Sequence, residues 1–379
     1  MHIVIAPDSF KACLSAAQVA AAISEGIARI TSEAELICIP IADGGEGTVQ
    51  ALVTATGGRI VPAAAVDALN RPVKSFYGVL GDGETAVIEM AAASGIELLS
   101  DEELNPLITS TYGTGLLMKA AMEAGFTRII LAIGGSATND GGAGMAQALG
   151  FDLLDNAGKP IGPGGGALGE LESIGQSHVH PLLRETTFTV ASDVRNPLLG
   201  LSGATRVYAP QKGATPQMLE QLEKNMSHYA AVLEKEFGSG IANAPGAGAA
   251  GGLGAGLMAF CRAEMGSGFD LISKLTRLED RIKQAAVVFT AEGKIDSQTA
   301  SGKTISGIAQ LAKEYQVPVV ALAGMVEDDL TTLYEQGVTT VFTIADRPMS
   351  LEESKARAGE LLATTSGRIM RLTMNLLKK

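Results

Sequence analysis

Acidic residues and lysines recur in this chain at the ends of short apolar runs, in the company of glycine. The run His2 to Ala6 ends in Pro7-Asp8-Ser9-Phe10-Lys11, which sets a carboxylate and an ammonium three residues apart. At a strand tip such a pair suits Mg²⁺ and a phosphate respectively, and equally suits a capping acid beside a solvated lysine. A second run ends in Ala42-Asp43-Gly44-Gly45-Glu46-Gly47-Thr48. Asp43 and Glu46 can turn toward one point while opening a helix whose N-terminus favours anions. Simple capping would not need the three glycines.

The longest such segment is Gly134-Gly135-Ser136-Ala137-Thr138-Asn139-Asp140-Gly141-Gly142-Ala143-Gly144, after the apolar run Arg128 to Ile133. Strand, glycine-rich turn and helix together make a phosphate cradle, because amides unhindered by side chains face an anion. Here the amides of Gly134, Gly135 and Ser136 would supply it. A tight connection with close helix packing explains two glycines more readily than the five present. Asp193 closes another run as a candidate proton acceptor or magnesium ligand, and Lys212 is a candidate for neutralising charge. Thr290-Ala291-Glu292-Gly293-Lys294-Ile295-Asp296 repeats the pattern with two acids and a lysine.

Two other motifs do not hold. Ser301-Gly302-Lys303-Thr304 has the tail of a P-loop, but the leading glycine would fall at position 297, which is Ser297. Gly246-Ala247-Gly248-Ala249-Ala250-Gly251 matches a dinucleotide fingerprint, yet no convincing strand precedes it and no acid follows at the required distance. The four histidines show no metal spacing, and no H-E-x-x-H or nucleophile elbow occurs.

The elements that must position these residues follow a βα rhythm. Short apolar runs at His2–Ala6, Leu36–Ile41, Ala286–Thr290, Val317–Ala323 and Thr340–Ile344 alternate with helix-period segments, as in a parallel sheet covered on both faces. Between Val66 and Glu89 the pattern alternates and carries the turn signals Asn70-Arg71-Pro72 and Gly81-Asp82-Gly83, so hairpins are expected. The fold class expected is two-domain α/β. Residues 1–65 and 240–379 form a discontinuous, Rossmann-like doubly wound domain, and residues 66–239 an inserted mixed α/β domain. Ligands of such sheets sit beyond the carboxyl ends of the strands, which places the expected active site in the cleft between the domains.

Composition narrows the function. A length of 379 residues favours two domains over one core. A net charge of −12 argues against nucleic acid or an anionic membrane as a partner, since both are bound through basic surface. Three widely spaced cysteines draw neither a disulfide framework nor a zinc site, and no export signal is evident. A soluble protein of the reducing cytoplasm is expected, and its oligomeric state is left open.

Taken in order, PDSFK, ADGGEGT, IGGSATNDGGAGM, SDVRNPL, APQKGA, PGAGAAGGLG and AEGKIDSQTASGK resemble the type-I glycerate kinase family from Pro7 to about Gly324. The resemblance implies a two-domain enzyme that phosphorylates D-glycerate with ATP and Mg²⁺, at the 2-hydroxyl, to give 2-phosphoglycerate and ADP. The family's motif residues fall here on Asp8, Ser9, Lys11, Asp43, Glu46, Ser136, Asn139 and Asp140. They continue through Asp193, Asn196, Gln211, Lys212, Glu292 and Asp296. Asp193 or Asp43 would accept the substrate hydroxyl proton, Lys11 and Lys212 would balance developing charge, and Asp8 and Asp193 would be the metal ligands. Ala291 and Lys294 stand where the family usually has Gly and Arg, and a lysine cannot grip a carboxylate bidentately. The competing readings are a nicotinamide-dependent oxidoreductase, which leaves the acidic strand ends unexplained, and a two-lobed ligand-binding protein, against which the missing export signal counts.

Overall fold

The computed structural model describes residues 1–10, 13–41, 44–45, 47–296, 299–300, 304–327 and 329–377. Along the chain run β1 (His2–Ile5), β2 (Glu35–Cys38), β3 (Arg59–Val66), β4 (Pro72–Val79) and β5 (Thr85–Glu89). They are followed by β6 (Arg128–Ala132), β7 (Asp152–Leu154), β8 (Ser173–Gly175), β9 (Thr187–Ala191) and β10 (Glu264–Gly266). The last are β11 (Val287–Ile295), β12 (Val319–Val326) and β13 (Thr340–Thr343). The chain divides into two compact units. The first comprises Met1–Asp43, Gln50–Thr56 and Phe269–Lys379, and the second Gly44–Val49 and Gly57–Gly268.

The first unit is built on a five-stranded sheet ordered β13-β12-β11-β1-β2. Every pairing in it is parallel. Its central strands are near-continuous apolar runs because helices cover both faces: Ile3, Ile5, Val287, Phe289 and Leu322 are all buried. The helix Ala16–Ala28 begins on a capping box in which Ser15 Oγ accepts from the Gln18 amide and the Gln18 side chain answers the Ser15 amide. That helix lies against the long helix Leu351–Leu377. The crossing is close at Gly26, where a Cβ would stand 2.0 Å from the Ala363 carbonyl oxygen.

The second unit holds a six-stranded sheet ordered β10-β9-β6-β5-β4-β3, beside the β7-β8 hairpin. Strands β3, β4 and β5 run antiparallel, whereas β5, β6, β9 and β10 are parallel. Turn chemistry sets the hairpins. Asp67 Oδ1 accepts from the amides of Leu69 and Arg71 while Asn70 takes a left-handed φ of 62°, and Asp82 accepts from the amides of Glu84 and Thr85. The core joins Ile88, Leu131, Val190, Met226 and Leu253 with an aromatic triad of Phe151, Phe237 and Phe260. Register then delivers the strand ends together: Glu89 stands beside Ala132, and Ala132 beside Ala191.

Candidate active site

In the second unit, the residues that follow β5, β6 and β9 converge at one edge of the sheet. After β6 the chain turns through Gly134 and Gly135, the latter exposed with φ of 72°. The turn is fixed on one side by residues just beyond β5. The Ile96 amide donates to the Gly135 carbonyl at 2.8 Å, and the Ala137 amide donates to the Ser94 carbonyl at 3.0 Å. On the other side the Gly134 amide donates to the Gly44 carbonyl at 2.9 Å. A Cβ on Gly134 would come within 2.6 Å of the Gly45 Cα, and one on Gly44 within 2.3 Å of the Ala191 carbonyl oxygen. Glycine is therefore required where the Gly44-Gly45 loop, the Gly134-Gly135 turn and the end of β9 touch. Ser192 and Asp193 follow directly at that place.

Lys212 enters this assembly from a short 3₁₀ turn, Pro210–Lys212, and is 1% exposed. Its Nζ donates to Ser136 Oγ at 2.7 Å and to the Thr138 carbonyl at 2.6 Å. Burial pulls the ammonium down to about 7, opposed by the charge of Asp140. Asp140 is itself buried, which pushes its carboxyl above the usual carboxylate range. Four donors oppose that push: the Thr111 amide, the Thr111 hydroxyl and the amides of Gly142 and Gly144. Asn139 is fully buried and its Nδ2 donates to Thr205 Oγ1 at 3.1 Å. Thr138 Oγ1 and Asn139 Oδ1 lie buried with no hydrogen-bond partner among the described residues, a demand that water or a ligand would meet.

The remaining expected residues divide by unit. Asp193 and Ser136 share the second unit with Lys212. Gln211 there is exposed, and Asn196 uses its amide to tie down its own loop, donating to the Ser202 carbonyl and accepting from the Tyr208 hydroxyl. In the first unit the Asp8 amide donates to the Ala291 carbonyl at 2.8 Å, so the ends of β1 and β11 lie side by side. Ser9 donates its amide to Asp8 Oδ1 at 2.6 Å. Glu292 and Lys294 lie on β11, and Asp296 follows it. Lys294 is held by Asp296 at 2.9 Å and Glu327 at 2.7 Å, two acids that raise its affinity for its proton. Lys11, Asp43 and Glu46 lie outside the described residues.

Three residues that the sequence reading passed over take part in this framework. Glu89 ends the apolar strand β5, is 4% exposed and accepts the Val49 amide at the start of the helix Thr48–Thr56. It meets the same test that singled out Asp193, an acid closing an apolar run. Thr111 and Tyr229 carry no such signal. The Tyr229 hydroxyl donates to the Gly141 carbonyl at 3.0 Å from a helix remote in sequence. Among the described residues no group of three or more His, Cys, Asp or Glu side chains could enclose a metal ion. That donor set does not cage a metal, though it suits a magnesium ion that keeps its waters and arrives on phosphate, for which one or two carboxylates suffice.

A glycine-rich turn with a buried lysine beneath it and acids at the neighbouring strand ends is, in an α/β protein, an arrangement that can seat an anion. The chain belongs to the glycerate kinase family, whose sequence profile matches residues 3–374. It is 50% identical to a glycerate kinase of Bacillus subtilis over 97% of this chain and 96% of that protein. It is 48% identical to the glycerate 2-kinase of Escherichia coli over 93% of each. A crystal structure named for glycerate kinase 2 of Salmonella typhimurium LT2 covers all of both chains with a TM-score of 0.88 at 43% identity. No helix among the described residues is long and apolar enough to cross a membrane.

Proposed function

We propose that the protein transfers the γ-phosphoryl group of ATP to D-glycerate, at the 2-hydroxyl, giving 2-phosphoglycerate and ADP. Family membership supports the reaction class. The Gly134–Ser136 turn over Lys212, beside the Asp193 strand end, carries the assignment to these atoms.

Phosphoryl transfer asks a protein mainly for positioning and charge stabilisation. The Gly134 amide is engaged by the Gly44 carbonyl, so the amides of Gly135 and Ser136 are left to receive the anionic part of a substrate, and Lys212 balances its charge from below. Asp193 or Asp43 accepts the proton of the attacking hydroxyl, with Lys11 a second charge balancer. Magnesium comes as part of the nucleotide substrate, with Asp8 and Asp193 as candidate carboxylates toward it. Glu46, Asn139, Asp140, Asn196, Gln211, Glu292, Lys294 and Asp296 complete the substrate-binding set by family position. The first unit, an all-parallel sheet whose strand order reverses between β1 and β11, is read as the Rossmann-like domain, since such a switch point is where ligands meet these sheets. A cytoplasmic location accords with the net charge of −12 and with the lack of a membrane-length apolar helix among the described residues.

The test is ADP release with ATP and Mg²⁺ across D-glycerate, L-glycerate, glycolate, lactate and tartronate, with ³¹P NMR of the product. D-Glycerate is expected to be the preferred acceptor and 2-phosphoglycerate the product. Release equal to that without an acceptor for the whole panel would sink the proposal.

A further inference from the structure

Lys212 is an anomaly as a buried cation. Both of its described hydrogen-bond partners, Ser136 Oγ and the Thr138 carbonyl, are neutral oxygens, and the described carboxylate that acts on it, Asp140, does so through space. A lysine 1% exposed in such surroundings lacks the counter-charge that a buried ammonium ordinarily requires. Its neighbour Ser136 is also buried but belongs to the turn whose tip, Gly135, is exposed. The hydroxyl thus stands between the lysine and the surface of the turn.

We infer that the anionic substrate supplies the missing counter-charge, so that a carboxylate seated on the Gly134–Ser136 turn draws a proton from solution onto Lys212 Nζ. The inference rests on the kinase reading of this site and deepens it, by making Lys212 a cation formed on binding rather than one fixed beforehand. The balance is simple: a neutral amine, one proton from the buffer and the incoming carboxylate give an ammonium and its counter-ion. As the neutral amine, Nζ can donate to the Thr138 carbonyl and accept from the Ser136 hydroxyl. As the ammonium it donates to both, which turns the Ser136 proton outward toward the anion.

Among the described residues, charged groups on the elements packed against Lys212 are engaged elsewhere, Asp193 at the end of β9 included. Asp140 on the glycine-rich turn is held by four donors and acts on Lys212 only through space. From the helix Ala204–Tyr208, Arg206 is paired with Glu220, and Tyr208 donates to Asn196. From the segment ending at Leu104, against which Gly213 rests, Glu103 is paired with Arg71. The buried Tyr229 beside Asp140 is held well above its ordinary value by burial and so stays neutral.

The experiment is calorimetric titration of D-glycerate into the full chain saturated with magnesium and a non-hydrolysable ATP analogue, in buffers of different ionisation enthalpy. At pH 7.5 binding should take up about half a proton per site or more, falling toward zero by pH 6, as linkage requires for a group titrating near neutrality. Above pH 7 the apparent Kd should weaken by up to about tenfold per pH unit. Lys212→Met should abolish the uptake, and Ser136→Ala, which leaves the bond to Thr138 intact, should reduce it. Binding heats independent of buffer at pH 7.5, or uptake that persists in Lys212→Met, overturn the inference while ADP release by the wild type continues. A wild type that neither binds nor phosphorylates glycerate overturns the kinase reading, and this inference with it.

Discussion

Asp140 Oδ2 accepts from both the backbone amide and the hydroxyl of Thr111, at 2.8 and 2.9 Å, and the same hydroxyl accepts from the Met145 amide at 2.9 Å. Thr111 precedes the helix Tyr112–Glu123 and Met145 lies in the helix Ala143–Ala148, so one buried carboxylate organises two helix starts behind the glycine-rich turn. Removing it strands several donors where water cannot reach them, a larger loss than the bonds themselves. Asp140→Ala should therefore cost about 3–5 kcal/mol of stability, and Asp140→Asn about 1–3, because the amide keeps one acceptor but faces donors with its NH₂ group. Urea denaturation monitored by circular dichroism gives both values. A loss below about 1 kcal/mol for Asp140→Ala would show that the network is not structural.

Gly251 has a left-handed φ of 65°, and a Cβ there would stand 2.0 Å from the Thr138 carbonyl oxygen, the atom to which Lys212 donates. Gly158 has a similar φ of 73° with nothing within 4 Å of its Cβ position. Gly158→Ala should lose only the left-handed penalty of about 1–2 kcal/mol and keep full turnover. Gly251→Ala carries the same penalty plus displacement of Thr138, so its turnover should drop at least about tenfold as the lysine loses its anchor. Equal activity in the two variants would separate Lys212 from the reaction.

Much of this arrangement is legible in the sequence because glycine and aspartate act locally. The signals Asn70-Arg71-Pro72 and Gly81-Asp82-Gly83 both fall at hairpin turns, where Asn70 takes a left-handed φ and Asp82 accepts from the Glu84 and Thr85 amides. Asp193 follows the end of β9, which register sets beside β6 and the glycine-rich turn after it. What could not be read is long-range. The Tyr229 bond to Gly141 spans 88 positions, the Lys212 bond to Ser136 spans 76, and no local pattern announces either. The sequence offers Lys212 as a candidate for neutralising charge, but its burial depends on packing that spacing does not encode. Lys294 shows the opposite case: a lysine chosen for its place in a motif is held by Asp296 and Glu327.

Asp193 follows β9 and neighbours Ser192, whose own amide is fixed to the Gly266 carbonyl at 3.0 Å, so its backbone is set by the sheet. Exchange of its carboxylate for an amide of the same shape should leave that backbone in place. Asp193→Asn is expected to lower kcat by about 10²–10⁴ with an unchanged denaturation midpoint. Glu89→Gln is the informative companion. Glu89 accepts the Val49 amide, so its exchange should lower stability by about 1–2 kcal/mol and change kcat less than Asp193→Asn does. Near-normal turnover in Asp193→Asn would remove that residue from proton transfer.

The pH dependence of folding gives Lys212 a signature separate from catalysis. Its folded-state value is about 7 against an ordinary 10.5, the lowering being due to burial. Between those values the unfolded chain holds a proton on this lysine that the folded chain has released. Stability from this group therefore rises with pH across the window, and is lost as pH falls toward 7, where the buried amine must be charged or the chain unfold. Each pH unit inside the window contributes at most about 1.4 kcal/mol. The stability of the wild type relative to Lys212→Met should accordingly improve between pH 7 and pH 9.5, when chemical denaturation of the two is compared at each pH in the absence of substrate. Taking the difference cancels the many other groups that titrate at alkaline pH. A gap that stays constant over this range would mean that Lys212 is charged throughout, held by a counter-ion already within the protein.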